Sequence, residues 1–240
     1  MAIKELGYVV IQTAKMQAWD DFLTQVVGVM PAGQAADGAH LYRVDDRPFR
    51  FRIVEGAEDF LSAAAYELDS REALNALAER LSAAGHAAQW GDADGAALRH
   101  VEAYFATQDP AGNGLEFYCG GARDTVAFAS PQDVSGFVTG DMGMGHAVYC
   151  APDFAASHRF YKEVVGFHDT DMPVFKFSPD PPDPGMRFAF MHADNSRHHA
   201  VAFGEMPQGP ARCVHLMLQM NTLSDVGKCH DRMRAAKIPE

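Results

Sequence analysis

Two segments of this chain show the same pattern of apolar residues. A short continuous apolar run is followed by a stripe of apolar residues at helical spacing. In the segment 7–29 the run GYVVIQT precedes a stripe that ends at Gly28, and in the segment 145–167 the run GHAVYC precedes one that ends at Gly166. The stripes consist of Trp19, Phe22, Leu23, Val26 and Val27 in the first segment and Phe160, Tyr161, Val164 and Val165 in the second. Each segment therefore predicts a buried strand, an amphipathic helix and a glycine cap.

The two segments are related by a constant offset without a gap, which indicates an internal repeat. Identical pairs are Gly7 and Gly145, Val10 and Val148, Ala18 and Ala156, Phe22 and Phe160, Val26 and Val164, Val27 and Val165, and Gly28 and Gly166. The segments 63–85 and 215–237 form a second pair with the same order of strand and helix. A chance likeness between helices of an ordinary α+β protein is the alternative, but both offsets hold over strand and helix together. We predict one structural unit used four times.

Short apolar runs between the helical stripes predict the remaining strands, because turn-forming sequences such as DDRP, DPAGNG and ADNS separate them. The predicted strands cover residues 41–44, 49–53, 103–107, 115–119, 186–192 and 199–204. The pattern predicts an α+β fold of tandem βαβββ modules in two domains, 1–121 and 142–240, joined by a linker at 122–141. The proline-rich run at 178–185 predicts an exposed loop.

Charge and cysteine usage narrow the classes of partner. The net charge of −12 makes contact with nucleic acid or an anionic membrane unfavourable. No run of about 18 apolar residues predicts a membrane helix, and the N-terminal apolar run is too short for a signal peptide. The four cysteines are scattered without a CxxC pair, so neither a disulfide framework nor a zinc knuckle is indicated. We expect a cytoplasmic protein.

A family resemblance enters with the runs GHAVY, FYKEVVGF, NSRHHAVAFGE and VHLMLQM, which follow one another in the second half of the chain. Their combination resembles the type I extradiol ring-cleaving dioxygenases of the vicinal oxygen chelate superfamily, especially those acting on 2,3-dihydroxybiphenyl and related catechols. The resemblance runs from Leu6 to the end of the chain. It implies a glyoxalase-like fold, a non-catalytic N-terminal domain, a metal-binding catalytic C-terminal domain, and cleavage of a substituted catechol by O2 with Fe(II), or alternatively Mn(II).

The resemblance places two metal ligands at His146 and His215, each opening the first strand of its module. Two histidines and one carboxylate occupy one face of an octahedron and leave neighbouring positions free for substrate and O2. The repeat supports this placement, because the N-terminal copies carry Tyr8 and Ala63 at these positions and so lack both ligands together. The alternative to a metal ligand is an ordinary strand histidine that hydrogen-bonds to a neighbouring residue. The third ligand, a counterpart of Glu116, is expected beyond the end of the chain, so we expect the second domain to be incomplete.

The resemblance assigns His199 as the acid/base group near the bound catechol, a role that suits imidazole because its pKa lies near neutrality. His198 is expected on the opposite side of the same strand, and Arg197 is expected to be a turn residue or a salt-bridge partner. Val148, Phe190 and Met172 are candidates for the apolar substrate pocket, although ordinary core packing explains each equally well.

Two other functions stay open at this point. A glyoxalase-like or antibiotic-modifying enzyme would keep the fold, but the RHHAVAF run and the two-domain arrangement argue against it. A non-catalytic protein that binds an aromatic ligand in the same fold would bind tightly without consuming oxygen. We also expect a homo-oligomer.

Overall fold

The computed structural model describes residues 3–178 and 183–239, which form two mixed β-sheets with helices packed on them. The first sheet contains eight strands in the order β2-β3-β4-β1-β5-β8-β7-β6. Its strands are β1 (Ile3–Thr13), β2 (Met30–Gln34), β3 (His40–Arg43), β4 (Phe51–Glu55), β5 (Phe60–Leu68), β6 (Gln89–Trp90), β7 (Ala103–Gln108) and β8 (Gly114–Cys119). Two βαβββ modules therefore meet where β1 pairs with β5.

The second sheet repeats this arrangement in the order β10-β12-β13-β9-β14, with β11 paired to β12. Its strands are β9 (His146–Cys150), β10 (His168–Asp171), β11 (Val174–Phe175), β12 (Met186–His192), β13 (Val201–Gly204) and β14 (His215–Met217). The first module of this sheet is complete, and the described residues of the next comprise β14 and one helix. The predicted α+β fold of tandem βαβββ modules is confirmed. Residues 179–182 of the predicted proline-rich loop lie outside the described residues.

Five α-helices complete the described parts of the chain. They are α1 (Met16–Asp21), α2 (Arg71–Ala83), α3 (Ala93–Arg99), α4 (Phe154–Arg159) and α5 (Leu223–Ala235). Helices α1 and α4 continue as π-helical segments, Phe22–Val27 and Phe160–Val165. The segment Phe22–Val27 packs against α5, and Phe160–Val165 packs against α2, so helices of both halves bury their apolar faces between the sheets. None of the helices in the described ranges is long and apolar enough to span a bilayer.

Strand register confirms the internal repeat at single-residue resolution. In the first sheet Val10 of β1 lies opposite Ala63 of β5. In the second sheet Val148 of β9 lies opposite His215 of β14. The sequence repeat pairs Val10 with Val148 and Ala63 with His215, so both sheets join their modules in the same register. Because one residue of slip would reverse the facing of every side chain, the shared register also gives equivalent residues equivalent faces.

The two glycine caps form as predicted. Gly28 and Gly166 adopt φ of 86° and 101°, in the left-handed region where glycine avoids the clash of a Cβ. Each cap donates its N–H to the carbonyl five residues earlier, that of Leu23 or Tyr161, and so closes a π-helical turn. The α4 helix is capped at its start, because the Asp153 carboxylate accepts the N–H of Ala156 at 2.9 Å.

Some predicted strand boundaries are wrong by a few residues. The strand expected at 49–53 is Phe51–Glu55, since residues 45–50 form a bend in which the Arg50 guanidinium bonds to the Asp45 carboxylate at 3.0 Å. The strand expected at 199–204 begins at Val201. His198 and His199 therefore lie in the bend before β13, and the alternation of an extended strand does not govern where their rings point.

Candidate metal centre

His146 and His215 bring their ring nitrogens to one point between β9 and β14. The two Nε2 atoms lie 3.1 Å apart, and the ring centroids are 5.3 Å apart. The convergence follows from the register, because His215 stands opposite Val148, whose side chain shares a strand face with His146 two residues earlier. His146 is buried at 7% exposure, whereas His215 is exposed at the sheet edge.

This spacing fits two ligands of one divalent ion. Imidazole nitrogens bind such metals at about 2.1 Å, and two bonds of that length across the observed gap enclose an angle of about 95°. Neighbouring positions of an octahedron require an angle near 90°. In the metal-free chain the same distance suits a hydrogen bond from one protonated Nε2 to the other. The buried Nδ1 of His146 has no hydrogen-bond partner among the described residues.

The described residues supply two ligands of such a site. Within residues 3–178 and 183–239, no group of three or more histidine, cysteine, aspartate or glutamate side chains is arranged to hold a metal ion. Glu116 lies in the other sheet, where it accepts hydrogen bonds from Tyr8 at 2.6 Å and from Nε of Arg99 at 2.8 Å. It is thus fully engaged away from the two histidines, in agreement with its exclusion as a ligand.

Burial keeps the histidines of this site neutral. It lowers the pKa of His146 to about 3, and the neighbouring His199, His215 and Arg197 add to the effect. Burial also lowers the pKa of His199 to about 4 and, in the same direction, the pKa of His215. Because only the neutral imidazole can bind a metal or accept a proton, all three rings are in the reactive form near neutral pH.

His199 lies directly beside the two candidate ligands. Its ring stacks on that of His146 with centroids 3.9 Å apart. Its Nδ1 lies 3.0 Å from the Nδ1 of His198, so one of these two nitrogens carries the shared proton. The expectation that adjacent His198 and His199 face opposite sides was wrong, because both residues lie in a bend and their rings meet. His198 is exposed, as its predicted surface position requires.

The three pocket candidates lie at different distances from the histidines. Phe190 contacts His199, with ring centroids 4.8 Å apart, and Val148 is buried at 2% exposure on the strand face of His146. Met172 is 46% exposed in the turn between β10 and β11. Geometry therefore brings Phe190 and Val148 to the candidate site, whereas a pocket role for Met172 stays a prediction.

The sequence did not reveal the position of Arg197. Arg197 is 6% exposed, and its guanidinium donates hydrogen bonds to backbone carbonyls of residues 138–143 rather than to a carboxylate. Arg197 lies in the bend before β13, in agreement with the first of its two expected roles, a turn residue. The salt bridges within the described ranges do not include it, so the second role, a salt-bridge partner, is not the one it takes. Arg197 is the first residue of the RHH run, and the sequence marks it only as a charge next to two histidines.

A large apolar groove of about 670 Å³ lies near the histidines but on the other side of β14. Leu216 and Leu218 line it together with Phe22 and Met233 from the two packed helical segments. Leu216 pairs with Ala147, a core residue, and so faces away from the ring of His215 on the opposite face of the strand. His215 also lines the groove, so the groove borders the point where the imidazoles converge.

Comparisons with known proteins agree with this geometry. Residues 6–56 match the family model "Dihydroxybiphenyl dioxygenase BphC D1", and residues 143–240 match "Glyoxalase/Bleomycin resistance protein/Dioxygenase superfamily". The biphenyl-2,3-diol 1,2-dioxygenase of Pseudomonas sp. (strain KKS102) is 42% identical over 98% of this chain and 79% of its own length. The iron-dependent extradiol dioxygenase of Rhodococcus jostii (strain RHA1) is 36% identical over 99% of this chain and 79% of its own.

A solved structure extends the likeness to the whole backbone. The crystal structure of BphC, a halotolerant catechol dioxygenase, superposes with a TM-score of 0.90 at 29% identity, over 99% of this chain and 77% of that one. The chain therefore belongs to the extradiol ring-cleaving dioxygenases, enzymes of the vicinal oxygen chelate fold. This confirms the resemblance on which the ligand positions were predicted.

Proposed function

We propose that this chain opens the ring of a substituted catechol, similar to 2,3-dihydroxybiphenyl, with O2, in the breakdown of aromatic compounds. In this proposal His146 and His215 hold Fe(II), and His199 is the acid/base group. The observation that carries it is the meeting of three neutral imidazoles, with 3.1 Å between two Nε2 atoms and the third ring stacked at 3.9 Å. Relatives named for biphenyl-2,3-diol cleavage and for iron dependence support the choice of substrate and metal.

The metal would supply one coordination sphere in which both catechol oxygens and O2 are held next to each other. Two neutral imidazoles leave its positive charge almost uncompensated, which favours a catecholate anion. They also make a weak site on their own, so a carboxylate ligand is part of the proposal. Mn(II) in place of Fe(II) stays a prediction.

His199 would accept a proton from the catechol hydroxyl. Burial lowers its pKa to about 4, so the ring is unprotonated at neutral pH, although it is then a weaker base than the near-neutral imidazole expected from the sequence. With Nδ1 engaged by His198, its Nε2 is the nitrogen left to face the substrate. The same Nε2 would then hold the proton and return it to an oxygen atom during ring opening.

The walls of the site would orient the aromatic ring and exclude water. Phe190 stands beside His199, and Val148 lies on the strand face of His146, so both can contact a flat apolar ring. An apolar surrounding strengthens electrostatic interactions at the reacting oxygens and keeps water from competing with the substrate.

The same proposal divides the chain by role. Residues 1–121 would form a non-catalytic domain, 122–141 a linker, and 142–240 the metal-binding part. The segment between the two sheets contains one isolated bridge, Phe137 to Met220, which agrees with a linker. A homo-oligomeric assembly and a cytoplasmic location stay predictions.

The test measures oxygen uptake by the natural gene product with Fe(II) and 2,3-dihydroxybiphenyl, together with absorbance of the coloured ring-opened product. We expect the amount of coloured product formed to equal the amount of oxygen consumed. His199→Ala should reduce kcat by about 100-fold or more, the usual scale of general acid/base catalysis. His158→Ala is the matched control, because His158 on α4 bonds to Asp169 of β10, and it should match the parent. Tight catechol binding without oxygen uptake, with iron present, would instead identify a non-catalytic binding protein.

A further inference from the structure

The Arg197 side chain binds two separate segments, residues 138–143 and the chain after β14, and extends from a third, the bend before β13. Its Nε donates to the carbonyl of Met142 at 2.8 Å, and its Nη2 donates to those of Val138 at 3.0 Å and Gly143 at 3.5 Å. Its Nη1 donates to Oε1 of Gln219 at 3.2 Å. One buried guanidinium is thus bonded to the end of the linker, to the chain after β14, and, through its own backbone, to the bend before β13.

Each of these segments carries one histidine of the candidate site. Gly143 stands three residues before His146, Gln219 stands four residues after His215, and Arg197 itself stands two residues before His199. The positions of the three imidazoles relative to one another therefore depend on backbone segments that meet at one side chain.

Further hydrogen bonds close the same junction. The N–H of Val138 donates to the carbonyl of Gln219 at 2.8 Å, and the N–H of Arg197 donates to Oδ1 of Asn195 at 2.9 Å. These bonds hold the linker against β14 and fix the bend from which the Arg197 side chain extends. The hydrogen bonds of this guanidinium join the linker and the chain after β14 to the bend before β13.

We propose that Arg197 is a positioning residue that holds His146, His199 and His215 in the arrangement needed for metal binding and ring cleavage. The proposal rests on the proposed function of this site. Arginine suits the role because its planar fork offers five donors in fixed directions, so that several carbonyls can be bound at once. Lysine offers a compact charge on a flexible stem and cannot reproduce three diverging contacts.

The cost of burying this side chain supports a role beyond filling space. A buried cation without a bonded carboxylate loses hydration that carbonyl dipoles replace only in part, and an apolar side chain of similar length would avoid that loss.

The experiment compares Arg197→Lys and Arg197→Met with Arg187→Met in the natural gene product. Arg187 is the matched control, because it is half exposed and bonds to Glu205 outside the histidine cluster. Three quantities are measured for each: Ni(II) affinity of the metal-free protein by calorimetry, kcat and KM for 2,3-dihydroxybiphenyl with Fe(II), and the urea midpoint of unfolding.

We expect both Arg197 variants to bind Ni(II) about 10- to 100-fold more weakly, the usual effect of losing a group that orients metal ligands. We expect kcat to fall by a similar factor while KM changes less than about threefold, because the apolar walls remain. Arg187→Met should equal the parent in all three. A merely structural role predicts a lower urea midpoint with unchanged Ni(II) affinity and kcat at low urea.

The outcomes separate this proposal from the proposed function. If folded Arg197→Lys or Arg197→Met binds Ni(II) as the parent does and keeps its kcat, the positioning role is overturned. If Arg197→Met does not fold, Arg197→Lys decides, because it keeps the charge and most of the aliphatic stem. A parent that binds Ni(II) but consumes no oxygen overturns the proposed function alone, and weaker Ni(II) binding by the variants would still support positioning.

Discussion

The two sheets of this protein place different side chains at equivalent points of the same framework. We call these points the N-terminal cup and the C-terminal cup. The N-terminal cup contains Tyr8, Ala63 and Glu116, and the C-terminal cup contains His146 and His215. Strand pairing between modules has the same register in both. The difference in chemistry therefore arises from a few substitutions on a conserved backbone arrangement within one chain.

The N-terminal cup satisfies its carboxylate internally. Glu116 accepts the hydroxyl of Tyr8 and two hydrogen bonds from Arg99, whose guanidinium also lies 4.0 Å from the centre of the Tyr104 ring. Burial, followed by the charge of Glu116, raises the pKa of Tyr8 well above its ordinary value. A guanidinium thus supplies the positive charge in this cup, whereas the C-terminal cup contains neutral imidazoles that contact one another. The comparison teaches that the fold provides the place and the side chains decide whether a metal can enter.

The largest expected effect comes from replacing the residue at equivalent positions in the first strand of each cup. His146→Ala removes a proposed ligand, so we expect metal binding and kcat to fall by more than about 1000-fold, beyond the roughly 10- to 100-fold effect of a group that only orients the ligands. Tyr8→Phe, the equivalent position in the N-terminal cup, should leave both unchanged. Calorimetry with Ni(II) and oxygen uptake measure the two variants. Equal losses in both would contradict a metal site restricted to the C-terminal cup.

The next effect concerns the ion pair that closes the N-terminal cup. Arg99→Met leaves the buried Glu116 without its cation, which we expect to lower the free energy of unfolding by about 2–3 kcal/mol. The value lies below the 3–5 kcal/mol typical of fully buried pairs because Arg99 is partly exposed. Urea denaturation measures it, and Ni(II) affinity should not change.

The double variant Arg99→Met with Glu116→Gln provides the control for that measurement. Since it removes the uncompensated charge, it should regain at least half of the lost stability. If the double variant is no more stable than Arg99→Met alone, the loss comes from packing on Tyr104 instead of from the buried charge.

A smaller effect distinguishes the two glycine caps. Gly166→Ala should cost about 1–2 kcal/mol, the cost of a left-handed backbone for a residue with a Cβ, because the added carbon would meet only Nη2 of Arg80 at 3.6 Å. Gly28→Ala should cost more, since its Cβ would lie 2.8 Å from Cγ2 of Val134 and 2.9 Å from Oγ of Ser130. Urea unfolding of both variants gives the order. A larger loss for Gly166→Ala would contradict the packing of the linker on the first cap.

A further effect, which grows as the pH falls, is a pH dependence confined to the C-terminal cup. The pKa of His146 is about 3 and that of His199 about 4 in the folded chain, below the ordinary value near 6.5. The unfolded chain therefore takes up these protons first, so stability is complete above about pH 6.5 and falls as the pH drops towards these folded values. In the metal-free protein, NMR should show both rings still neutral at pH 5. Protonated rings at that pH would contradict their burial.

Much of the fold followed from patterns that are local in the chain. Strand β12 lies at the predicted residues, and both helix caps form at the predicted glycines because left-handed backbone is a property of that single residue. The π-helical ends of α1 and α4 were not predicted, since their apolar stripes are compatible with α- and π-helical turns alike. The bend that holds His198 and His199 was also missed, because an apolar run does not reveal where pairing between strands begins.

The sequence by itself determined the repeat, its α+β modules, and the positions His146 and His215, where histidines stand in place of Tyr8 and Ala63 of the repeat. Only the tertiary structure decided that the two Nε2 atoms lie 3.1 Å apart and that the His199 ring stacks on the His146 ring. It also decided that Arg197 joins the backbone segments next to the three histidines. The physical reason is the range of the interactions. Periodicity and capping are set within a few residues, whereas imidazole spacing and guanidinium contacts depend on strands far apart in the chain that pair in one register.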